Sequence, residues 1–273
     1  MKISQIGEKT VKITGVDISL KDTFDCGQCF RWNEYKDGYV GVAKGKVLYA
    51  YQNSDGLFLE NTDKEEVEKM WLDYFDLNTD YDEIIGKIPE DDTYLRTAAE
   101  CGKGIRILKQ EPNETVISFI VSANNNIKRI KGIIERFSEK YGDEISFDGG
   151  VYHTFPSVDK LYGIKAEDIA FLHAGYRDKY LEDAFEKLNK IDFAKVSEEE
   201  LRKTLLSVKG VGPKVCDCIL LFGFSKYDAF PKDVWIKRVL REHYGENFDP
   251  VSFGKYAGVY QQYMFHYARN IEE

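Results

Sequence analysis

Apolar and polar positions alternate along the first sixty residues of the chain. VKITGVDISL (11–20) and GYVGVAKGKVLYAYQNSDGLFLEN (38–61) carry the two-residue period of half-buried strands, interrupted at Asp37-Gly38 and Asp55-Gly56 by turn-forming pairs. The pattern predicts an antiparallel sheet with one wet face. From Lys64 onward the period lengthens. EEVEKMWLDYFDL (65–77) sets Val67, Met70, Trp71 and Phe75 on one helical stripe, and residues 124–141 do the same with Ile127, Ile130, Ile134, Phe137 and Tyr141. Further helices are expected at 198–208, 213–222, 234–244 and 253–269, bordered by Gly, Pro or Asp. The plan is α+β: a β-rich part over residues 1–115, then a helical body over 116–273.

Composition narrows the class. The 273 residues are 43% hydrophobic and 31% charged, enough for a sizeable core in an ordinary globular protein. No apolar run is long enough to span a bilayer and none resembles a signal peptide, so a cytoplasmic, membrane-free protein is expected. Five cysteines (26, 29, 101, 216 and 218) are an odd set and do not suggest a disulfide framework. The net charge of −9 opposes a nucleic-acid partner for the molecule as a whole, yet the cations are unevenly placed. NNNIKRIK (124–131) holds three cations and no acid. Lys203, Lys209 and Lys214 likewise fall in an acid-free stretch, while acids gather at 61–69, 89–92 and 196–200.

The chemistry concentrates in LLSVKGVGPKVCDCILLFGFSKYDAFPKDVWIKRVL (205–240). A helix ending at Val208 leads into the turn Lys209-Gly210-Val211-Gly212, and Pro213 opens the next helix where a missing N–H costs nothing. Such a turn either offers backbone N–H groups to a phosphate or simply joins two helices. Lys214 stands in the first turn, beside the positive end of the helix dipole, where the ammonium form is disfavoured and an amine nucleophile becomes available. Cys218 shares its face at i+4. Asp233 is placed to cap a helix beginning at Val234, and a rigid capping carboxylate can also stabilise positive charge on a sugar. In the last helix Tyr256, Tyr260, Tyr263 and Tyr267 form a packing face. Gln261 and Phe265 lie one turn apart on another, an amide and a ring suited to clamping a base.

The combination of helix, G-V-G hairpin, P-K helix start and P-x-D resembles the helix-hairpin-helix, Gly-Pro…Asp superfamily of DNA glycosylases, and within it the 8-oxoguanine DNA glycosylase family. SANNNIKRIKGIIERF (122–137), HAGYRDKYL (173–181) and FDCGQCFRW (24–32) are similar to further elements of that family, in the family's order. The resemblance implies a TBP-like antiparallel N-terminal domain and a helical glycosylase body. It implies that Lys214 attacks the sugar, forming a Schiff base followed by β-elimination, and that Asp233 assists. It gives Gly27 the carbonyl that recognises the lesion, Gln261 and Phe265 the base-reading and stacking roles, and Cys218 the opposite wall. Asn124, Arg129 and Arg177 would read the orphaned cytosine, Tyr176 would wedge into the duplex, and Lys209, Gly210, Val211 and Gly212 would meet the DNA backbone. The implied partner is double-stranded DNA containing an oxidised guanine, bound by a monomer with no metal or other cofactor.

Two positions depart from the family pattern. Trp235 stands where a phosphate-contacting histidine is usual, and Ala268 where an acidic residue is usual. Two other readings remain open. Cys26, Cys29, Cys216 and Cys218 supply four thiols for a zinc site, although Cys216 and Cys218 diverge on a helix. A non-catalytic helix-hairpin-helix module would use Lys214 only as a phosphate contact.

Overall fold

The computed structural model describes residues 1–270. Strands β1 (Lys2–Gly7), β2 (Thr10–Thr14), β3 (Trp32–Tyr35), β4 (Gly38–Ala43), β5 (Lys46–Asn53) and β6 (Gly56–Glu60) form one sheet in the order β1-β2-β6-β5-β4-β3, antiparallel throughout. The Asp-Gly turns fall where expected, pairing Tyr35 with Gly38 and Asn53 with Gly56. The strand pattern over 11–20 stops early, at Thr14. Gly15 turns to φ 70 and Ser19 caps a short helix, Leu20–Asp25, by accepting from the Asp22 amide.

One face of the sheet packs Val11, Ile13, Leu48, Leu57 and Leu59 against Phe24, Trp32, Trp71 and Phe75. The other is drier than alternation suggests. A second hairpin, β7 (Glu144–Phe147) with β8 (Gly150–His153), packs on Val40, Val42 and Val47, and Tyr51 stacks between Tyr49 and Phe58 at 5.2 and 4.8 Å. Neither the covering hairpin nor the ring row has a local signature in the strands it covers.

The helical body is one continuous core. Its central member is the helix Pro112–Ser122, in which every residue from Thr115 to Val121 is buried. Residues 81–107 pack into this same core through Ile84, Ile88, Leu95, Ile105 and Ile107. The stripe at 65–77 winds as Lys64–Glu66, a wider turn over Val67–Trp71, and Leu72–Tyr74, capped by Asp63. The helix expected from residue 124 starts at Ile127. Asn124 is left-handed (φ 49), and Asn126 is the cap, its side chain accepting from the Arg129 amide at 3.0 Å.

The last helix also differs from its expected span. Gly254 (φ 69, ψ −152) breaks the chain between a short turn, Pro250–Tyr256, and the helix Ala257–Asn270. Gly258 lets that helix dock closely, since a Cβ there would lie 2.4 Å from the Ala229 carbonyl oxygen. The expected face of tyrosines is realised by Tyr260 and Tyr263, both buried. Among the described residues no helix is long and apolar enough to cross a membrane.

Candidate active site

The helix–turn–helix at 198–224 forms as its sequence requires. Glu198–Leu206 is capped by Ser197, and Pro213–Phe224 begins after Gly212 with its first bond from the Cys216 amide to the Gly212 carbonyl at 2.8 Å. Gly210 needs its φ of 85, and its backbone presses on the Tyr180 ring, where a Cβ would come within 2.7 Å of Cδ2. Asp183 secures the turn from below. Its carboxylate accepts from the Lys209 amide at 2.7 Å and faces the Lys209 ammonium at 3.7 Å, holding this acid below the usual carboxylate range despite its partial burial. The Val211 amide is taken by the Val208 carbonyl, so two of the four hairpin amides have partners within the protein.

Lys214 and Asp233 line one cleft of about 690 Å³, together with Gly27, Asn124, Phe265 and Arg269. The cleft lies within the size range of small-ligand sites. Lys214 is half-buried, its Nζ 5.8 Å from the Phe119 ring centroid, and its charge acts on the Cys218 thiol. Burial pushes that thiol up to about 11, with Lys214 pulling the other way. Cys218 is therefore a neutral, buried thiol next to the amine, and it does not line the cleft itself. Asp233 caps Val234–Val239, accepting from the Ile236 amide at 2.8 Å. Desolvation raises its carboxyl above the ordinary range, against the lowering influence of the cap, Lys214 and Arg269. The cap and the proximity to the amine are thus properties of the same carboxylate.

Phe265 and Gly27 form the far side of the cleft. A Cβ on Gly27 would sit 3.8 Å from Phe265 Cε1, and its φ of 78 is a glycine conformation. The loop bearing Gly27 is fixed by Gln28, a fully buried residue that the sequence did not single out. Gln28 donates to the carbonyls of Thr23 and Arg106, both at 2.8 Å. It accepts from the Leu108 amide at 2.8 Å, and its own carbonyl accepts from Gln110 at 2.7 Å. The Gly27 carbonyl, one peptide before a residue so restrained, has little freedom to move.

Gln261 behaves differently from expectation. It is 3% exposed, it is absent from the cleft lining, and its Oε1 accepts from Gln262 at 2.7 Å. The amide lies below the surface on which Phe265 is displayed.

Asn124, Arg129, Tyr176 and Arg177 are brought together, though not as four free base readers. Arg177 is 2% exposed. Its Nε, Nη1 and Nη2 donate to main-chain carbonyls, Ala123 at 3.0 Å, Ala174 at 3.0 Å and Asn124 at 2.8 Å. Arg129 donates to the His173 carbonyl at 2.8 Å. The two arginines tie the loop at 123–126 to the turn at 173–177, and Tyr176, 54% exposed, stands out from the surface beside the exposed Asn124. Its ring meets Tyr180 edge-on at 5.7 Å and the Arg177 guanidinium at 4.4 Å. In the protein alone, the guanidinium expected to contact a base serves as a tether between these two segments.

Phe119 was invisible for a different reason. Its helix is apolar on all sides, so no period marked it, yet the ring is the aromatic neighbour of Lys214 and stacks on Phe222 at 5.5 Å. Arg269 was also missed, although its place one turn beyond Phe265 was a usable signal. Among the described residues no three His, Cys, Asp or Glu side chains are grouped so as to hold a metal ion, which leaves the four-thiol alternative without a site.

Comparison with known proteins decides the family. Residues 10–116 match the N-terminal domain of 8-oxoguanine DNA glycosylase, and residues 117–251 match the HhH-GPD superfamily of base excision DNA repair proteins. The chain is 33% identical over 243 residues to a probable N-glycosylase/DNA lyase of Methanothermobacter thermautotrophicus, covering 77% of this chain and 76% of that protein. The chain belongs to the 8-oxoguanine DNA glycosylase family. As a member, this glycosylase is a DNA repair enzyme of the N-glycosylase/DNA lyase kind. Two solved structures share its whole architecture. MBOgg1 in complex with a low-affinity DNA ligand has a TM-score of 0.93 at 39% identity, with 100% of both chains covered. The Clostridium acetobutylicum 8-oxoguanine glycosylase/lyase, in complex with double-stranded DNA containing cytosine opposite 8-oxoG, has a TM-score of 0.93 at 36% identity, covering 100% of this chain and 99% of that one.

Proposed function

We propose that this glycosylase excises 8-oxoguanine from duplex DNA, with preference for cytosine opposite, and that Lys214 is the nucleophile. The observation that carries the reading is the single cleft lined by Lys214, Asp233, Gly27 and Phe265. Tyr176 enters the duplex and the damaged nucleotide is extruded into the cleft, its base against Phe265. Oxidation converts guanine N7 from an acceptor to an N–H donor, so a fixed carbonyl at Gly27 distinguishes the lesion by one hydrogen bond, and Gln28 keeps that carbonyl in register. The amine of Lys214 attacks C1′ and displaces the base. The resulting Schiff base then permits β-elimination and strand nicking. Asp233 stabilises the positive charge that develops on the sugar. Asn124 faces the space left by the lesion, while Arg129 and Arg177 hold its loop.

Two observations support the choice of lesion and partner: the Clostridium acetobutylicum relative, a solved complex with 8-oxoG opposite cytosine, and the proximity of Gly27 to the stacking ring. Borohydride reduction on an 8-oxoguanine:cytosine duplex is expected to trap a covalent protein–DNA adduct, and Lys214→Gln to abolish it. A wild-type enzyme that excises the base without ever yielding an adduct would remove Lys214 from the chemistry. Equal excision opposite all four bases would remove the cytosine preference.

A further inference from the structure

Arg269 is a cation of the cleft that the chemistry above leaves without a role. It lines the same space as Lys214 and Asp233, one helical turn beyond Phe265, with Cζ 5.7 Å from the Phe265 ring centroid. It is half-buried. Among the described residues it makes no hydrogen bond or ion pair. Other arginines near the site behave otherwise, with Arg177, Arg129 and Arg136 each donating to main-chain carbonyls. A partly desolvated guanidinium with five donors and no acceptor is an incomplete arrangement in the free protein.

The chemistry of the missing acceptor follows from its position. A nucleotide whose base lies on Phe265 and whose C1′ meets Lys214 brings its phosphodiester groups to the rim of this cleft. A planar fork of N–H donors matches a phosphate better than any other part of that nucleotide. Two of the neighbouring side chains do not compete for the task. Trp235 also lines the cleft, but its indole offers a single donor and its ring lies 5.0 Å from the Arg238 guanidinium, while Ala268 is buried and has no polar atom in its side chain. Lys232 and Lys237 line the cleft from exposed positions.

We infer that Arg269 binds a phosphate of the nucleotide drawn into the cleft, so that two residues one turn apart, Phe265 and Arg269, hold the base and the backbone of the same nucleotide. This rests on the reading of the cleft given above, but its test does not require turnover. Full-length wild type, Arg269→Gln and Arg269→Lys are titrated with a duplex carrying a tetrahydrofuran abasic analogue, at salt concentrations from about 50 to 300 mM. Arg269→Gln is expected to bind about fivefold more weakly at about 0.1 M salt and to lower the slope of log affinity against log salt by about 0.9. Arg269→Lys should keep the wild-type slope.

A wild-type slope in Arg269→Gln overturns the inference. So does a variant altered only in the acid limb of its pH–rate profile, because that places Arg269 as an electrostatic helper of Asp233. Should Arg269→Gln fail to fold, the same contact is removed from the DNA. Uncharged methylphosphonate linkages flanking the analogue must then weaken wild-type binding, and unchanged binding is again a refutation. Failure of the function reading looks different: wild type gives no borohydride adduct, whatever the salt slopes show.

Discussion

The lesion cleft and the wedge surface lie side by side and are assembled in opposite ways. In the cleft, Lys214 and Asp233 each stand in the first turn or at the cap of a helix, so local backbone geometry aims them. On the wedge surface, Asn124 and Tyr176 sit in irregular chain, and their positions depend on two arginines that reach across to carbonyls some fifty residues away. The proposed reading thus puts chemistry on rigid elements and recognition of the partner strand on tethered loops. The difference implies that damage to the tethers loosens discrimination before it reduces bond breaking.

The sharpest way to break this comparison is at Asp233. Asparagine caps helices as well as aspartate does, so Asp233→Asn is expected to lower the single-turnover excision rate by about 10² to 10⁴ while the melting temperature stays within a few degrees. Asp233→Ala should show the same rate loss together with about 1 kcal/mol of lost stability in denaturant titration. Equal destabilisation by both substitutions would show that the carboxylate has no role separate from the cap. Next in size is Arg177→Met. It strands the carbonyls of Ala123, Ala174 and Asn124, at an expected cost of about 2 to 4 kcal/mol, and it should flatten the preference for the opposite base while borohydride trapping persists. If trapping disappears first, the two regions are not separable.

Tyr176→Ala removes an exposed ring, so its stability should stay within about 0.5 kcal/mol. Excision from duplex is expected to fall about tenfold, with a smaller loss on a lesion in a mismatch that is already easier to extrude. Equal losses on both substrates would deny the wedge role.

The smallest expected effect concerns pH. Glu114, in the first turn of the central helix, is pushed up to about 7 by burial, only partly offset by Arg31 at 3.8 Å. A folded carboxyl that holds its proton above the unfolded value of 4.5 binds more protons in the native state between those two values. Its contribution to stability therefore declines as pH rises from 4.5 to 7. Chemical denaturation across that window should show the decline in wild type and lose it in Glu114→Gln.

Much of the cleft was legible because its signals are local. Gly212-Pro213 marks a helix start, Asp233 marks another, and the i and i+4 relation of Lys214 to Cys218 follows from the helix they share. The same locality exposed the hairpin turns at Asp37-Gly38 and Asp55-Gly56. What escaped was set by tertiary context. The helix bearing Phe119 has no polar face, so periodicity could not reveal it. The start of the Ile127–Tyr141 helix was misplaced because three consecutive asparagines are all plausible caps, and only Asn126 takes the role. Nothing adjacent in the chain foretold that Gln28 would bolt the Gly27 loop to residues 106–110, or that Arg177 would turn inward. The burial of Gln261 belongs to the same class.

The cations along the cleft have one further effect when set against the acidic remainder of the molecule. Against a net charge of −9 for the whole chain, Lys214, Lys232, Lys237 and Arg269 give the cleft a local attraction for a polyanion. With a screening length of about 8 Å at physiological ionic strength, that attraction acts on a duplex already close to the opening. Collisions with the wrong face end quickly, and productive ones arrive already aligned with the opening. Such a charge pattern favours brief, oriented visits to intact DNA over prolonged adhesion.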